Sequence, residues 1–260
     1  MSGRTIPVGD THHQEKSPAT GGLCPYSATC AGAVHPRAPS ERAMLLRSGP
    51  RPPGGSVRTL TYSVAVSLDG FVCAPDGSFD FFDPDAESGE LGDNGRFHVE
   101  EYPELLPTHV RAHLGVDVPD RHFDTVLQGR GSYQVALDIG VTSPYSHMRE
   151  YVFSRTLPAD IDQNVTVVAE DPVGAVRALK AEAGPLGVCL VGGPAIAGLL
   201  LPEIDELMIK RYPVVAGSGK AFFEGADFDP ASFERVESTV FEQGSDYTLF
   251  RRARGVTGAG

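Results

Sequence analysis

Cysteine is scarce in this sequence, long apolar runs are missing, and basic charge is not gathered into any stripe. Its 260 residues hold four cysteines, Cys24, Cys30, Cys73 and Cys189, none of them in a Cys-x-x-Cys pair. That spacing argues against disulfide staples and fits a reducing, cytoplasmic setting. No apolar run approaches the roughly 20 residues that span a bilayer. No hydrophobic core near the N-terminus reads as a secretion signal. Net charge is −12, unevenly spread: residues 1–58 hold seven Lys/Arg against three Asp/Glu, and the remainder holds 15 against 31. So acidic a body repels nucleic-acid phosphates. Neither a membrane nor a nucleic acid is therefore expected as a partner. Cations beside glycine turns gain weight for the same reason.

What is present is an alternation of strands and helices. Residues 1–57 are rich in Gly, Pro, Ala, Ser and Arg without periodicity, a composition too poor in apolar surface to offset chain entropy. They are expected to be a disordered tail, as are residues 254–260. The His12-His13 pair and Cys24/Cys30 read as part of that solvated tail, and no metal site is expected. Order begins near Arg58, and 58–253 reads as one domain.

Leu60 to Val66 has the β-branched content of a strand and runs into Ser67-Leu68-Asp69-Gly70, a tight loop at a strand's carboxyl end, where ligands of open α/β sheets sit. From Asp80 to about Gly95 the chain is acidic, led by Phe79, Phe81 and Phe82. Phe97 to Val116 has helical spacing, with Pro103 and Pro107 as interruptions. His109 and His113 share a helix face there, without a third metal ligand placed by spacing. Phe123 to Gln128 is a strand, followed at once by Gly129-Arg130-Gly131-Ser132-Tyr133. A guanidinium beside the N–H groups of a helix start suits a phosphate, although Ser132 would serve equally as a helix cap. The strand Glu150 to Phe153 ends in Ser154-Arg155-Thr156, a further place where phosphate could be held.

Asn164 to Ala169 is a strand, and Asp171-Pro172 starts a helix that Gly184-Pro185 stops. Gly187 to Val191 is an unbroken apolar run, the mark of a strand buried on both faces. It leads through Gly192-Gly193 into Pro194-Ala195-Ile196, a turn with no Cβ in the way of a ligand and a proline suited to the first helical turn. Ile204 to Tyr212 is the next strand. Phe233–Phe241 and Asp246–Arg252 close the chain as a hairpin around Gln243-Gly244-Ser245. The order predicts an α/β fold: a mostly parallel twisted sheet with helices on both faces and an antiparallel C-terminal hairpin.

Five pieces in this order resemble the dihydrofolate reductase-like family, in particular the branch holding the C-terminal reductase domain of riboflavin-biosynthesis proteins. They are Val66 to Val72, Asp124 to Tyr133, Val152 to Leu157, Leu190 to Pro194 and Pro213 to Lys220. The resemblance implies NADPH laid across the strand ends. By that likeness Gly129, Arg130 and Ser132 receive cofactor phosphate, and Ser154 and Arg155 face the adenosine ribose and its 2′-phosphate. Gly192, Gly193, Pro194, Ala195 and Ile196 hold the pyrophosphate, with a cis Gly192–Gly193 bond. Ser67, Asp69 and Val191 border the substrate, with Asp69 as the candidate proton donor. Val191 stands where the riboflavin reductases carry glutamate, and residues 1–57 contain no deaminase zinc motif. No acidic residue on the first helix is placed to match a folate-binding carboxylate, for which Glu100, Glu101 and Glu104 are the nearby candidates. The likeness thus implies an NADPH-dependent reductase of a small heterocycle, similar to 5-amino-6-(5-phosphoribosylamino)uracil reductase, and a homodimer. A pteridine-type reductase and a nucleotide-binding module without turnover are the alternatives.

Overall fold

A computed structural model describes residues 57–82 and 91–253. The expected tails, with their His12-His13 pair and Cys24/Cys30, lie outside the described residues, save residue 57, as do residues 83–90 of the acidic stretch.

The apolar runs make the strands the sequence predicts, and they assemble around the first. β1 (Leu60–Val66) lies between β6 (Gly187–Val191) and β7 (Glu206–Arg211) and runs parallel to both. With β2 (Phe71–Cys73) in sequence before them, β3 (Phe123–Gly129), β4 (Arg149–Phe153) and β5 (Val165–Val168) extend the parallel sheet beyond β6. β9 (Phe233–Val240) and β10 (Asp246–Arg252) form the antiparallel hairpin, docked through β10 onto β7. The eight-stranded order is β5-β4-β3-β6-β1-β7-β10-β9, and β2 pairs separately with β8 (Lys220–Ala221).

Strand alternation divides the core between two faces. Leu60, Tyr62 and Val64 meet Leu127, Leu190 and Leu207 on one face, under Val176 and Leu179 of α4 (Pro172–Ala181) and Ala197 and Leu200 of α5 (Pro194–Leu200). Each such side chain contributes about 1.5–3 kcal/mol when fully buried. On the opposite face Val126, Cys189, Met208 and Tyr247 pack against Leu105 and Phe97. There too Tyr133 of α3 (Arg130–Asp138) covers Val152 and Val165. Helices therefore cover both faces, as the pattern predicts.

The helical stretch from Phe97 to Val116 is broken rather than continuous. α1 covers Asp93–Glu101, a 3-10 turn covers Pro103–Leu105, and α2 covers Thr108–Leu114, closed by Gly115 at φ 66°. Pro103 and Pro107 cannot donate into a continuing helix, so each restarts the chain. α4 starts as read from sequence, with the Asp171 carboxylate accepting from Gly174 N at 2.9 Å and Pro172 in the first turn. No helix among the described residues is long and apolar enough to cross a membrane.

Candidate functional site

Parallel strands bring their carboxyl ends to one edge, and three consecutive strands end there in the residues singled out above. In spatial order, β4 delivers Ser154-Arg155, β3 delivers Gly129-Arg130 and β6 delivers Gly192-Gly193. The glycines let the turns touch. A Cβ on Gly193 would stand 2.8 Å from Ile196 Cγ2 and 3.2 Å from Gly129 Cα, and one on Gly192 would stand 2.6 Å from Ser132 Oγ. The structure thus brings Gly129, Ser132, Gly192, Gly193 and Ile196 into one cradle.

α3 begins at Arg130, directly after Gly129, so its first N–H groups, which have no partner within the helix, face the cradle. Gly192 and Gly193 sit at φ 70° and 79°, and no cis peptide occurs among the described residues. The cis bond implied by the family likeness is thereby corrected: two successive left-handed glycines reverse the chain with a trans bond between them. Ser154 is buried, and its hydroxyl accepts from Thr156 N at 3.2 Å and Leu157 N at 3.1 Å. It shapes the turn that leaves Arg155 exposed. A pyrophosphate fits this donor set: a cradle closed to side chains, one helix start and two guanidinium groups at its rim.

Ser67 and Asp69 tie the loop after β1 together and to its neighbour. Ser67 is buried, donates to Asp69 Oδ1 at 2.7 Å and accepts from Phe71 N at 2.9 Å. Asp69 also accepts from Ala216 N at 3.0 Å and Gly217 N at 2.7 Å, clasping the loop after β1 to the loop after β7. The Ser67 hydroxyl and these N–H groups hold its carboxyl down at about 2. So held, the Asp69 carboxylate is ionised at neutral pH and serves as the acceptor of three hydrogen bonds. Because the folded value lies below the unfolded one, the clasp is complete above pH about 4 and is lost as pH falls through 2. Asp69→Ala is expected to speed amide exchange at Ala216 and Gly217 at least about tenfold at pH 7, since both lose their acceptor. Unchanged exchange at both amides would show that the clasp does not hold them.

Val191 lies half-buried beside Ser63, on the face that carries α1. On the same face the Ala65–Lys210–Tyr247 register sets Lys210 next to Tyr247, whose hydroxyl lies 3.1 Å from His98 Nδ1. Burial and the Lys210 ammonium hold His98 neutral, down at about 3. Sequence reasoning missed this Lys210–Tyr247–His98 group. Lys210, directly after the apolar run Leu207-Met208-Ile209 in β7, was the one signal that could have found it. Of the three glutamates near α1 only Glu104 is fully buried, and its Oε1 accepts from His122 N at 2.8 Å and Phe123 N at 3.2 Å. Those amides open β3, so Glu104 braces the opposite edge of the sheet. His109 is half-buried on α2 and His113 is exposed, and no group of three or more potential metal ligands occurs among the described residues.

A second buried carboxyl supports the end of β3. Glu150 accepts from Gln128 Nε2 at 2.7 Å, Ser143 Oγ at 3.0 Å and Tyr145 N at 3.2 Å. Burial nevertheless pushes it up from 4.5 to about 7. The folded state therefore keeps a proton that the unfolded chain releases, and this contribution, complete below pH about 4, is lost as pH rises through 7. In Glu150→Gln the new amide keeps the Ser143 and Tyr145 bonds, and the Gln128 amide can flip to accept from it. The variant is expected to be more stable than the parent at pH 8, by about 2 kcal/mol, and equal to it at pH 4.5. Thermal unfolding at the two pH values checks this, and identical shifts at both would contradict it.

No protein-family model matches the chain. It is 32% identical over 168 residues to the uncharacterised protein YwjB of Bacillus subtilis (strain 168), a match that covers 64% of this chain and 82% of YwjB. Among solved structures it is similar to a candidate riboflavin biosynthesis protein from Shewanella sp. PV-4, with 22% identity, a TM-score of 0.54, and coverage of 75% of this chain and 99% of that one. It is also similar to a diaminohydroxyphosphoribosylaminopyrimidine deaminase/5-amino-6-(5-phosphoribosylamino)uracil reductase from Thermotoga maritima, with 18% identity and a TM-score of 0.50. That match covers 75% of this chain and 57% of the Thermotoga protein. At such identities the two structures speak for the fold alone.

Proposed function

This chain belongs to the family of YwjB and has the dihydrofolate reductase-like fold, and from that premise we propose that it is an NADPH-dependent reductase of a small heterocycle. The observation that carries the reading is the cradle itself. The Gly192–Gly193 turn of β6 sits so close to the Gly129 turn of β3 that a Cβ on Gly192 or Gly193 would clash, and one on Gly129 would stand 3.2 Å from Ile196 Cγ2, with Arg130 and Arg155 on the same edge. Such packing keeps side chains out of the path of an extended diphosphate, and the start of α3 turns its first N–H groups toward it.

In this reading Gly129, Arg130 and Ser132 receive one phosphate, and the Gly192–Gly193 turn with Pro194, Ala195 and Ile196 seats the pyrophosphate. Arg155 faces the adenosine ribose. The cofactor, when bound, supplies the hydride, while the chain fixes its position and offsets its charge. The substrate lies on the α1 face of the sheet, between Val191 and the Lys210–Tyr247–His98 group. Lys210 places one cation there and His98, held neutral, fixes the Tyr247 hydroxyl. Asp69 acts as a positioning residue through the two loops it joins.

The test is an NADPH-oxidation assay with ribosylaminopyrimidine and pterin substrates. Oxidation that depends on one of them supports the reading; cofactor that binds and is never oxidised would favour a nucleotide-binding module instead. A homodimer belongs to the same proposal, because β9 is an edge strand with Val236 and Val240 exposed, an unpaired edge of the kind that pairs with a second copy. A monomer mass in light scattering would remove that part.

A further inference from the structure

The adenosine end of the site carries a charge arrangement that a site built for a 2′-phosphate alone does not need. β4 and β5 run parallel, with Phe153 paired to Val168 and Ser154 N donating to Val168 O at 3.1 Å. Two residues past each of these paired positions stand Arg155 and Glu170, both exposed at the same edge of the sheet. The β4–β5 ladder closes at the Phe153–Val168 pair, and Arg155 and Glu170 are exposed residues just beyond its two carboxyl ends. Neither has a hydrogen-bond or ion-pair partner among the described residues, each other included. Asp171, the next residue, is committed to the start of α4, where it accepts from Gly174 N at 2.9 Å.

Arginine and glutamate make opposite demands on the ribose. A guanidinium favours a 2′-phosphate, which carries close to two negative charges, whereas a carboxylate at the end of a strand accepts from a free 2′-hydroxyl and repels the phosphate. Resting on the cofactor reading above, we propose that Glu170 is a specificity-determining residue that weakens preference for the phosphorylated dinucleotide, so that the site takes NADH as well as NADPH. The strongly acidic body of the chain acts in the same direction.

The experiment is a fluorescence titration of the full-length chain with NADPH and with NADH, repeated for Glu170→Gln and Arg155→Ala. The parent is expected to bind the two within about tenfold of each other, because one unit charge of each sign faces the ribose. Glu170→Gln is expected to tighten NADPH about fivefold at low salt, to leave NADH unchanged or weaker, and to lose much of this effect at 0.5 M salt, where charges are screened. Arg155→Ala is expected to weaken NADPH more than NADH. If both dinucleotides bind but Glu170→Gln leaves their ratio unchanged, the assignment of Glu170 is wrong and the cofactor reading stands. If neither dinucleotide binds the parent, the cofactor reading itself is wrong and Glu170 has no such role.

Discussion

Gly193→Ala is expected to destabilise the chain by about 2–5 kcal/mol and to weaken NADPH binding at least tenfold. The stability figure combines two costs. A residue with a Cβ held in the left-handed region loses about 1–2 kcal/mol, and Gly193 sits at φ 79°. The added methyl would also meet Ile196 Cγ2 at 2.8 Å and the Gly129 backbone at 3.2 Å, and overpacking of that kind costs about 1–3 kcal/mol. Binding suffers for a separate reason: relief of the clash moves the β3 and β6 turns apart, and with them the donors meant to share one ligand. Gly131→Ala is the matched control. Gly131 lies in the first turn of α3 with nothing within 4 Å of an added Cβ, and alanine there is expected to be neutral or to stabilise by up to about 1 kcal/mol. Thermal unfolding and cofactor titration of the two variants check the contrast. A Gly193→Ala protein as stable as the Gly131→Ala one would show that the turns are not locked together.

Arg58→Ala is expected to cost about 3–5 kcal/mol, read as a lower urea midpoint with an unchanged slope. Arg58 is 4% exposed and lies at the opposite edge of the sheet from the cradle. Its guanidinium donates to Asp124, to Leu186 O at 2.9 Å, to Thr125 Oγ1 at 3.0 Å, to Gly187 O at 3.1 Å and to Glu182 at 3.2 Å. One side chain thereby ties the entry of β1 to the starts of β3 and β6. Its removal leaves buried acceptors without a donor, which costs more than the bonds themselves contribute. Arg177, paired with Glu203 at 2.7 Å but with its side chain 66% exposed, provides the comparison: Arg177→Ala is expected to cost under about 1 kcal/mol. Equal losses at the two positions would mean that Arg58 is not the tie described.

The strands were legible because burial on both faces writes an unbroken apolar run into the sequence. Leu60 to Val66 and Gly187 to Val191 appear in the structure with the boundaries read from their residues. The Gly192–Gly193 and Gly129 turns were legible as glycines at strand ends, although their mutual contact was not, since it depends on β3 and β6 being neighbours in the sheet. Contacts at long range left no local mark. Asp69 reads as an ordinary loop aspartate until Ala216 and Gly217 arrive from the far side of the chain. Lys210, Tyr247 and His98 come from three segments joined only by register. The break between α1 and α2 was written in Pro103 and Pro107, yet apolar spacing alone joined the two helices into one.

The central claim is that the edge formed by β4, β3 and β6 holds a nicotinamide dinucleotide. Its most direct measurement is a titration of the full-length chain with NADPH, followed by nicotinamide fluorescence, on the parent and on Gly193→Ala side by side. Saturable binding in the micromolar range by the parent, weakened at least about tenfold in the variant, is the result expected of a cradle from which a Cβ is excluded. No binding by the parent at high micromolar NADPH, or equal binding by the two proteins, would contradict it.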